Sequence, residues 1–220
     1  MFVSVITATR NRSHFLKALV ACYESQIYPH DSMEWILMDD GSDREKGRQI
    51  IEECTKPNVK YIELDTPVPT GTKLNRLIGM TRGDVIVVMD DDDWYSPERV
   101  SGAVNAFELQ PGRLIAGCSK VYMQFEGEEV VSVAGPYHDR HALHCTMAFQ
   151  RSYFDTHSYD GNEVCAVEWV LTNGFTELMI QLNPRKTILH RVHSGNTFQG
   201  KRQIGLLRKT CLDVSKFISS

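Results

Sequence analysis

No stretch of this chain is apolar for long enough to cross a bilayer. The longest apolar runs, Trp35–Met38 and Val85–Met89, fall far short of the roughly 20 residues that a membrane helix needs. A secretory signal is equally missing, because Met1 leads directly into FVSVITATRNR with no basic segment, apolar stretch and cleavage site in that order. The sequence therefore predicts a soluble, cytoplasmic protein without a signal peptide. Cysteine pairs at metal or redox spacing are absent too. Cys22, Cys54, Cys118, Cys145, Cys165 and Cys211 are widely scattered with no C-x-x-C, which suits reduced and mostly buried thiols better than a disulfide frame or a zinc site. Positive charge is scarce: Lys+Arg 24 against Asp+Glu 28 gives a net charge of -4. With no basic cluster, nucleic acid is excluded as the main partner. No G-x-G-x-x-G follows any predicted strand, which removes a nicotinamide-dependent dehydrogenase.

What is present is an ordinary globular balance of 42% hydrophobic and 24% charged residues, with Gly 15 and Pro 8, so a packed core is expected rather than a disordered or collagenous chain. A length of 220 residues favours one domain spanning 1–220, divided into a first half, 1–110, and a less regular second half, 111–220. Short β-branched runs at Phe2–Ala8, Glu34–Met38, Val59–Leu64 and Asp84–Met89 read as strands. Between them, Phe15, Leu19, Cys22 and Tyr23, then Ile50, Ile51 and Cys54, then Leu74, Leu77 and Ile78 follow helical spacing. Alternating apolar strands and helices predict an α/β fold with a mostly parallel sheet flanked by helices. Such sheets bind ligands beyond the carboxyl ends of their strands. In the second half, Leu114–Phe125 and Glu128–Gly135 read as a strand pair around Glu126-Gly127, and Val164–Leu171 as a short helix. Ile204, Leu207, Cys211, Val214 and Ile218 recur at three- and four-residue steps, predicting a C-terminal amphipathic helix face packed on the domain.

The predicted strand ends carry the chemistry. Asp90, Asp91, Asp92 and Asp93 follow an apolar strand directly. If the strand continued through them, Asp90 and Asp92 would share one face about 6–7 Å apart and Asp91 and Asp93 the other. Such crowding raises carboxyl pKa values unless a cation or hydrogen-bond donors stabilise the charged form, and a divalent metal is the simplest remedy. The second acidic end, Asp39-Asp40-Gly41-Ser42-Asp43, fits either a turn with Ser42 or Asp43 capping the next helix or a crevice carboxylate that accepts the N–H of a pyrimidine base.

VSVITATRNR, then EWILMDDGSD, then GTKLNRLIGMTRGDVIVVMDDDDWYSPERV resemble, in order and spacing, the family 2 glycosyltransferases of the GT-A fold. The resemblance covers roughly the first 110 residues closely. It implies a metal-dependent (Mn²⁺ or Mg²⁺) transferase that moves a sugar from a nucleoside-diphosphate donor, UDP by family habit, to a hydroxyl on a glycan or related acceptor, with inversion. It implies nucleoside contacts at Thr7 or Thr9 and at Asp40, and a donor-facing Lys73. A D-x-D element falls at Asp90 and Asp92, with Asp91 near the ribose or sugar and Asp92 as a direct metal ligand. GNEVCAVEWVLTNGF is similar to the stretch bearing the catalytic base, which implies Glu168, with Glu163 as the runner-up; Val167 stands where a first acid is usual. LHRVHSGNTF resembles the late segment whose histidine reaches the metal or diphosphate, which implies His193 ahead of His190, with Arg191 as a phosphate contact. HCTMAFQR resembles the acceptor-side wall.

Two other functions compete. A sugar nucleotidyltransferase needs a glycine-rich basic loop for a triphosphate, and TATRNR lacks the glycines. A catalytically silent sugar-nucleotide-binding module would use the same pocket without turnover.

Overall fold

The computed structural model describes residues 1–196 and 207–218. Chain order runs β1 (Val3–Thr9), α1 (Ser13–Glu24), β2 (Met33–Asp39), α2 (Arg44–Glu52), β3 (Val59–Glu63), α3 (Thr70–Met80), β4 (Val85–Val88), β5 (Trp94–Tyr95) and α4 (Arg99–Leu109). It continues with β6 (Ile115–Gly117), β7 (Val121–Phe125), β8 (Val130–Ala134), β9 (Ala148–Gln150), α5 (Glu168–Leu171), β10 (Ile180–Gln181), β11 (Ile188–Val192) and β12 (Leu207–Asp213). A seven-stranded sheet has the order β10-β6-β9-β4-β1-β2-β3, and a five-stranded sheet the order β12-β8-β7-β11-β5. The strands β4, β1, β2 and β3 are mutually parallel, whereas β9 runs antiparallel to both β4 and β6.

The apolar runs are nearly continuous because both faces of the large sheet are covered. Successive residues alternate between two cores. Val5, Trp35, Leu37, Val85 and Val87 pack with Leu16, Leu19, Tyr23 and Phe107 on one face. Ile6, Ile36, Met38, Ile86 and Val88 pack with Leu74, Leu77, Phe149 and Tyr153 on the other. Parallel β1, β2 and β4 therefore deliver Thr9, Asp39-Asp40 and Asp90–Asp93 to the same edge of the sheet.

Two turns at that edge brace each other. The Asn11 side chain, on a residue with φ 55°, accepts from Ser42 N at 2.7 Å. Asp43 Oδ2 accepts from Ser13 N at 2.9 Å. Asp43 thus satisfies an orphan donor of α1 from across the edge, and neither it nor Ser42 caps α2 with its side chain, contrary to the sequence expectation. A Cβ on Gly41 would lie 2.4 Å from Asn11 N, so only glycine lets the turns approach this closely.

The second half departs from expectation in two places. Helical structure between Val164 and Leu171 is confined to Glu168–Leu171, because Ala166 has φ 52° and interrupts it. Leu207–Asp213 is a strand paired with β8, not a helix. The register shifts between Lys209 and Asp213, and Cys211, one of the residues at helical spacing, is exposed rather than part of a packed face. Ile204 lies outside the described residues. The pair around Glu126-Gly127 is present as antiparallel β7 and β8, while Ile115–Gly117 joins the other sheet as β6. All six cysteines are free; Cys22, Cys118 and Cys145 are buried, Cys54 and Cys165 intermediate, and Cys211 exposed. No described helix is long and apolar enough to cross a membrane.

At the amino end of the sheet, Glu34 is fully buried in β2. It accepts from Ser4 Oγ at 2.7 Å and Arg82 N at 2.8 Å, and it pairs with Arg82 at 3.3 Å and Lys60 at 3.7 Å. One carboxylate thus ties β1, β3 and the turn after α3 to β2. Glu34→Ala strands these donors and should lower stability by about 2–4 kcal/mol, read from the urea midpoint; an unchanged midpoint would refute this role.

Candidate functional site

The chain leaves β4 at Val88, so the four aspartates lie in a turn rather than on a strand. The alternating geometry expected for them does not arise. Instead, Asp91 and Asp92 converge on one guanidinium: Arg12 Nη1 is 2.9 Å from Asp91 Oδ1 and 2.9 Å from Asp92 Oδ2. Asp91 Oδ2 also accepts from Thr9 Oγ1 at 2.6 Å. Asp92 Oδ2 has His193 Nε2 and Asn196 Nδ2 at 3.1 Å each. Asp93 Oδ1 accepts from Arg191 N at 2.7 Å and lies 2.9 Å from His190 Nδ1. Asp90 opens onto a cavity, with 39% of its side chain exposed and its Oδ1 4.0 Å from His144 Nδ1.

Electrostatics follow this placement. Desolvation at the cleft floor, then Asp93, Asp92 and Asp91, push the Asp90 carboxyl well above its ordinary pKa. For Asp91, burial raises the pKa and Arg12 and Thr9 oppose it, leaving a value of about 6. Burial works against the Arg12 charge, but the neighbouring aspartates outweigh it and raise its pKa.

The cavity measures about 850 Å³. Ala8, Arg12 and Asp90–Asp92 form one part of its wall; His138, His141, His144, Glu168 and Trp169 form another, and His190 and Asn196 also reach it. Glu168, at the start of α5, is pushed above its ordinary pKa by burial, partly countered by backbone N–H donors, its own and that of His144. The 3-10 turn at His144–Thr146 brings in His144, whose Nε2 is 3.0 Å from Tyr159 Oη. Glu163 is not part of this wall; its carbonyl accepts from Gly71 N at 2.9 Å.

The remaining sequence-predicted residues lie beside the cavity or behind it. Asp40 and Lys73 are both buried and paired at 2.7 Å. Lys73 Nζ also donates to Thr9 O at 2.9 Å, and Asp40 Oδ2 accepts from Val68 N at 2.8 Å. Each Asp40 oxygen keeps a second lone pair for another donor. Thr7 sits behind the edge: its hydroxyl donates to Met89 O at 2.7 Å and accepts from Trp35 Nε1 at 3.0 Å. Between Thr7 and Thr9, Ala8 faces the cavity. Side chains alternate along β11, so His190 faces the cavity and the charge of Arg191 acts on Cys22 behind it. The guanidinium that meets the aspartates belongs to Arg12, which sequence reasoning missed. Its only signal was a basic residue in the short turn between β1 and α1.

Asp92 and His193 offer a hard oxygen and one imidazole, donor types that suit Mn²⁺ or Mg²⁺. A cationic group of the protein already lies between Asp91 and Asp92, so the position favours positive charge. A second grouping, Asp93, Cys145 and His190, has potential ligand atoms within 4.8 Å of one another. Burial and then the aspartates push the Cys145 thiol well above its ordinary pKa. Within this grouping Asp93 already accepts from Arg191 N and lies against His190.

The glycosyl transferase family 2 model matches residues 4–157, more than half of the chain. Protein CgeD of Bacillus subtilis (strain 168) is 26% identical over 203 residues, covering 80% of this chain and 47% of that protein. Among solved structures, S. aureus TarS 1-349 in complex with UDP-GlcNAc superposes with a TM-score of 0.71 at 18% identity, over 89% of this chain and 60% of that one. The mannosyltransferase PcManGT from Pyrobaculum calidifontis, in complex with GDP-Man and Mn2+, gives 0.68 at 15% identity, over 88% and 57%. This chain therefore spans about half the length of the curated relative and about three-fifths of these structures. The solved structures share the GT-A arrangement of a mostly parallel sheet with flanking helices, and the match across residues 4–157 places the chain in glycosyl transferase family 2.

Proposed function

We propose that the chain transfers a sugar from a nucleoside-diphosphate donor, of the UDP-sugar type, to an acceptor hydroxyl in a single inverting displacement that depends on Mn²⁺ or Mg²⁺. One observation carries this reading. Glu168, a carboxylate of raised proton affinity, lines the same cavity as Asp90, Asp91 and Asp92. The UDP-GlcNAc complex of TarS and the GDP-Man and Mn2+ complex of PcManGT support the donor class.

In this reading residues 1–110 hold the donor and 111–220 the acceptor. Thr9, Asp40 and Lys73 form the nucleoside end, and Asp90 and Asp91 face the ribose and sugar. Asp92 and His193 would hold the cation, which when bound supplies positive charge for the departing diphosphate. Glu168 takes the proton of the acceptor hydroxyl as that oxygen attacks the anomeric carbon. The bond from that carbon to the diphosphate oxygen breaks in the same step, and no covalent enzyme intermediate forms. Arg12 is bound to Asp91 and Asp92, and it competes for the oxygens that the cation needs.

Glu168→Gln should lower kcat by roughly 10²–10⁴ while UDP affinity, measured by calorimetry, stays within about twofold; equal losses in both would exclude the base role. Because Glu168 acts only when ionised and its pKa is raised, activity should fall with decreasing pH at a higher pH than an ordinary glutamate would give. The Glu168→Gln variant should lose that acid limb. Arg12→Ala should bind Mn²⁺ without nucleotide about tenfold more tightly, reflecting one lost charge-assisted competitor, as followed by electron paramagnetic resonance. Asp92→Ala should lose the binding, and unchanged affinity in both variants would place the cation elsewhere.

A further inference from the structure

The acceptor side of the cavity contains an aromatic surface that the chemistry above does not use. Trp169 lies on its wall with 59% of the residue exposed, so it is not a core residue. It is nevertheless held in place. Its ring meets Phe175 edge-on, with centroids 5.6 Å apart and planes at 79°. A Cβ on Gly174 would come within 3.3 Å of its Cζ2, so the indole rests directly on the glycine backbone. Phe175 is in turn packed against His141 at 4.6 Å and His138 at 6.3 Å.

The backbone beneath it is unusual. Ala166 (φ 52°), Asn173 (φ 50°), Gly174 (φ 72°) and Phe175 (φ 59°) all adopt left-handed conformations within ten residues. That region is disfavoured for residues with a Cβ, and for a bulky side chain such as phenylalanine it is a true outlier. Strain of this kind persists where the surroundings enforce it, and it clusters at ligand sites. Here its result is to hold the exposed indole in the wall of the cavity that Glu168 also lines.

Charge narrows the class of ligand. Among the described residues lining the cavity, Arg12 is the only arginine or lysine, and it is bound to Asp91 and Asp92. Burial holds the His144 and His141 pKa values down at about 4, with His138 adding to the effect on His141, so both imidazoles are neutral near pH 7. Glu168 and Asp90–Asp92 are the acids that line the cavity. Among the described residues, a phosphate or carboxylate on the acceptor would meet these like charges, and the one cationic side chain there, Arg12, is held by Asp91 and Asp92. A neutral ring with one apolar face and hydroxyls on its edge suits an exposed indole flanked by a carboxylate and neutral imidazoles.

We propose that the acceptor is an uncharged pyranoside whose apolar face stacks on Trp169, placing the hydroxyl to be glycosylated at Glu168. This rests on the transferase reading above and specifies its acceptor subsite. The test uses the full chain with Mn²⁺ and a panel of UDP- and GDP-sugars, scored for nucleotide release. To this are added methyl glycosides of glucose, galactose, mannose and N-acetylglucosamine, or alternatively glycerol 3-phosphate, ribitol 5-phosphate and 3-phosphoglycerate. In parallel, saturation-transfer NMR reads binding of the same methyl glycosides to the UDP-loaded protein, independently of turnover.

The expected result is that at least one methyl pyranoside accelerates release and receives saturation at its ring protons. Trp169→Ala should raise the KM for that glycoside about tenfold with a much smaller effect on kcat and should abolish the saturation transfer. Trp169→Phe should restore most of both. Acceleration by the phosphorylated acceptors alone, or a Trp169→Ala variant with unchanged KM and unchanged saturation transfer, would overturn the proposal. Absence of nucleotide release from every donor, with or without acceptor, would instead overturn the transferase reading, and the NMR comparison of wild type with Trp169→Ala would still decide whether the indole binds a pyranoside.

Discussion

Four carboxylates in succession, in a turn that buries three of them, set the central electrostatic constraint of this structure. Like charges this close cannot all remain ionised without compensation. The chain supplies that compensation from segments far apart in sequence. Asp91 receives Thr9 and Arg12 from β1 and the turn after it; Asp92 receives Arg12, His193 and Asn196; Asp93 receives the Arg191 N–H and His190 from β11. Asp90 looks into the cavity and is the acid whose pKa burial and its neighbours drive furthest up. Crowding therefore does not by itself require a metal. The protein's own donors neutralise much of it, and a bound cation has to displace some of them.

This compensation reaches into the fold. Arg12 can meet Asp91 and Asp92 only if the turn after β1 is fixed, and that turn is fixed by Asn11 bonded to Ser42 and by Asp43 bonded to Ser13 N. Asp39 holds the neighbouring turn through Gly41 N at 2.7 Å and through the Tyr61 hydroxyl. All three acids in Asp39-Asp40-Gly41-Ser42-Asp43 accept from backbone N–H groups, and Asp40 also pairs with Lys73. The parallel register of β1, β2 and β4 makes these contacts possible at all, by ending three strands at one level. Beneath them Arg99 is buried in the core, its guanidinium donating to Val88 O at 3.2 Å and Met147 O at 2.6 Å.

The first half was legible because its signals are local. Apolar strands buried on both faces read as unbroken runs, and the helices between them carry a clean 3.6-residue period. The second half was not, for reasons visible in particular residues. In β12, Thr210 Oγ1 bonds Val131 O at 2.6 Å and accepts from Leu212 N at 3.0 Å, part of an irregularity that breaks the two-residue alternation. In the 164–171 segment, the left-handed Ala166 has no signature in residue type, so a helix was expected where one turn exists. Site residues followed the same division. The aspartates could be proposed from their place after an apolar strand and His193 and Glu168 from the family resemblance, whereas Arg12 acquires its meaning only through contacts 79 and 80 residues away. Trp169 is exposed in the cavity wall.

The acceptor wall also accounts for why Glu168, rather than a neighbouring histidine, is suited to take a proton. In water an imidazole is the stronger base of the two by about two pKa units. Burial acts on the charged form in both cases but with opposite signs, since ionisation creates charge on a carboxyl and removes it from an imidazolium. The same poorly solvated wall raises the proton affinity of Glu168 and lowers that of His144 to a pKa of about 4, which inverts the usual order. His144 Nε2 lies 3.0 Å from the Tyr159 hydroxyl, a partner that a neutral imidazole can either donate to or accept from. On the proposed reading, this gives Glu168 the raised proton affinity that a base for the acceptor hydroxyl needs.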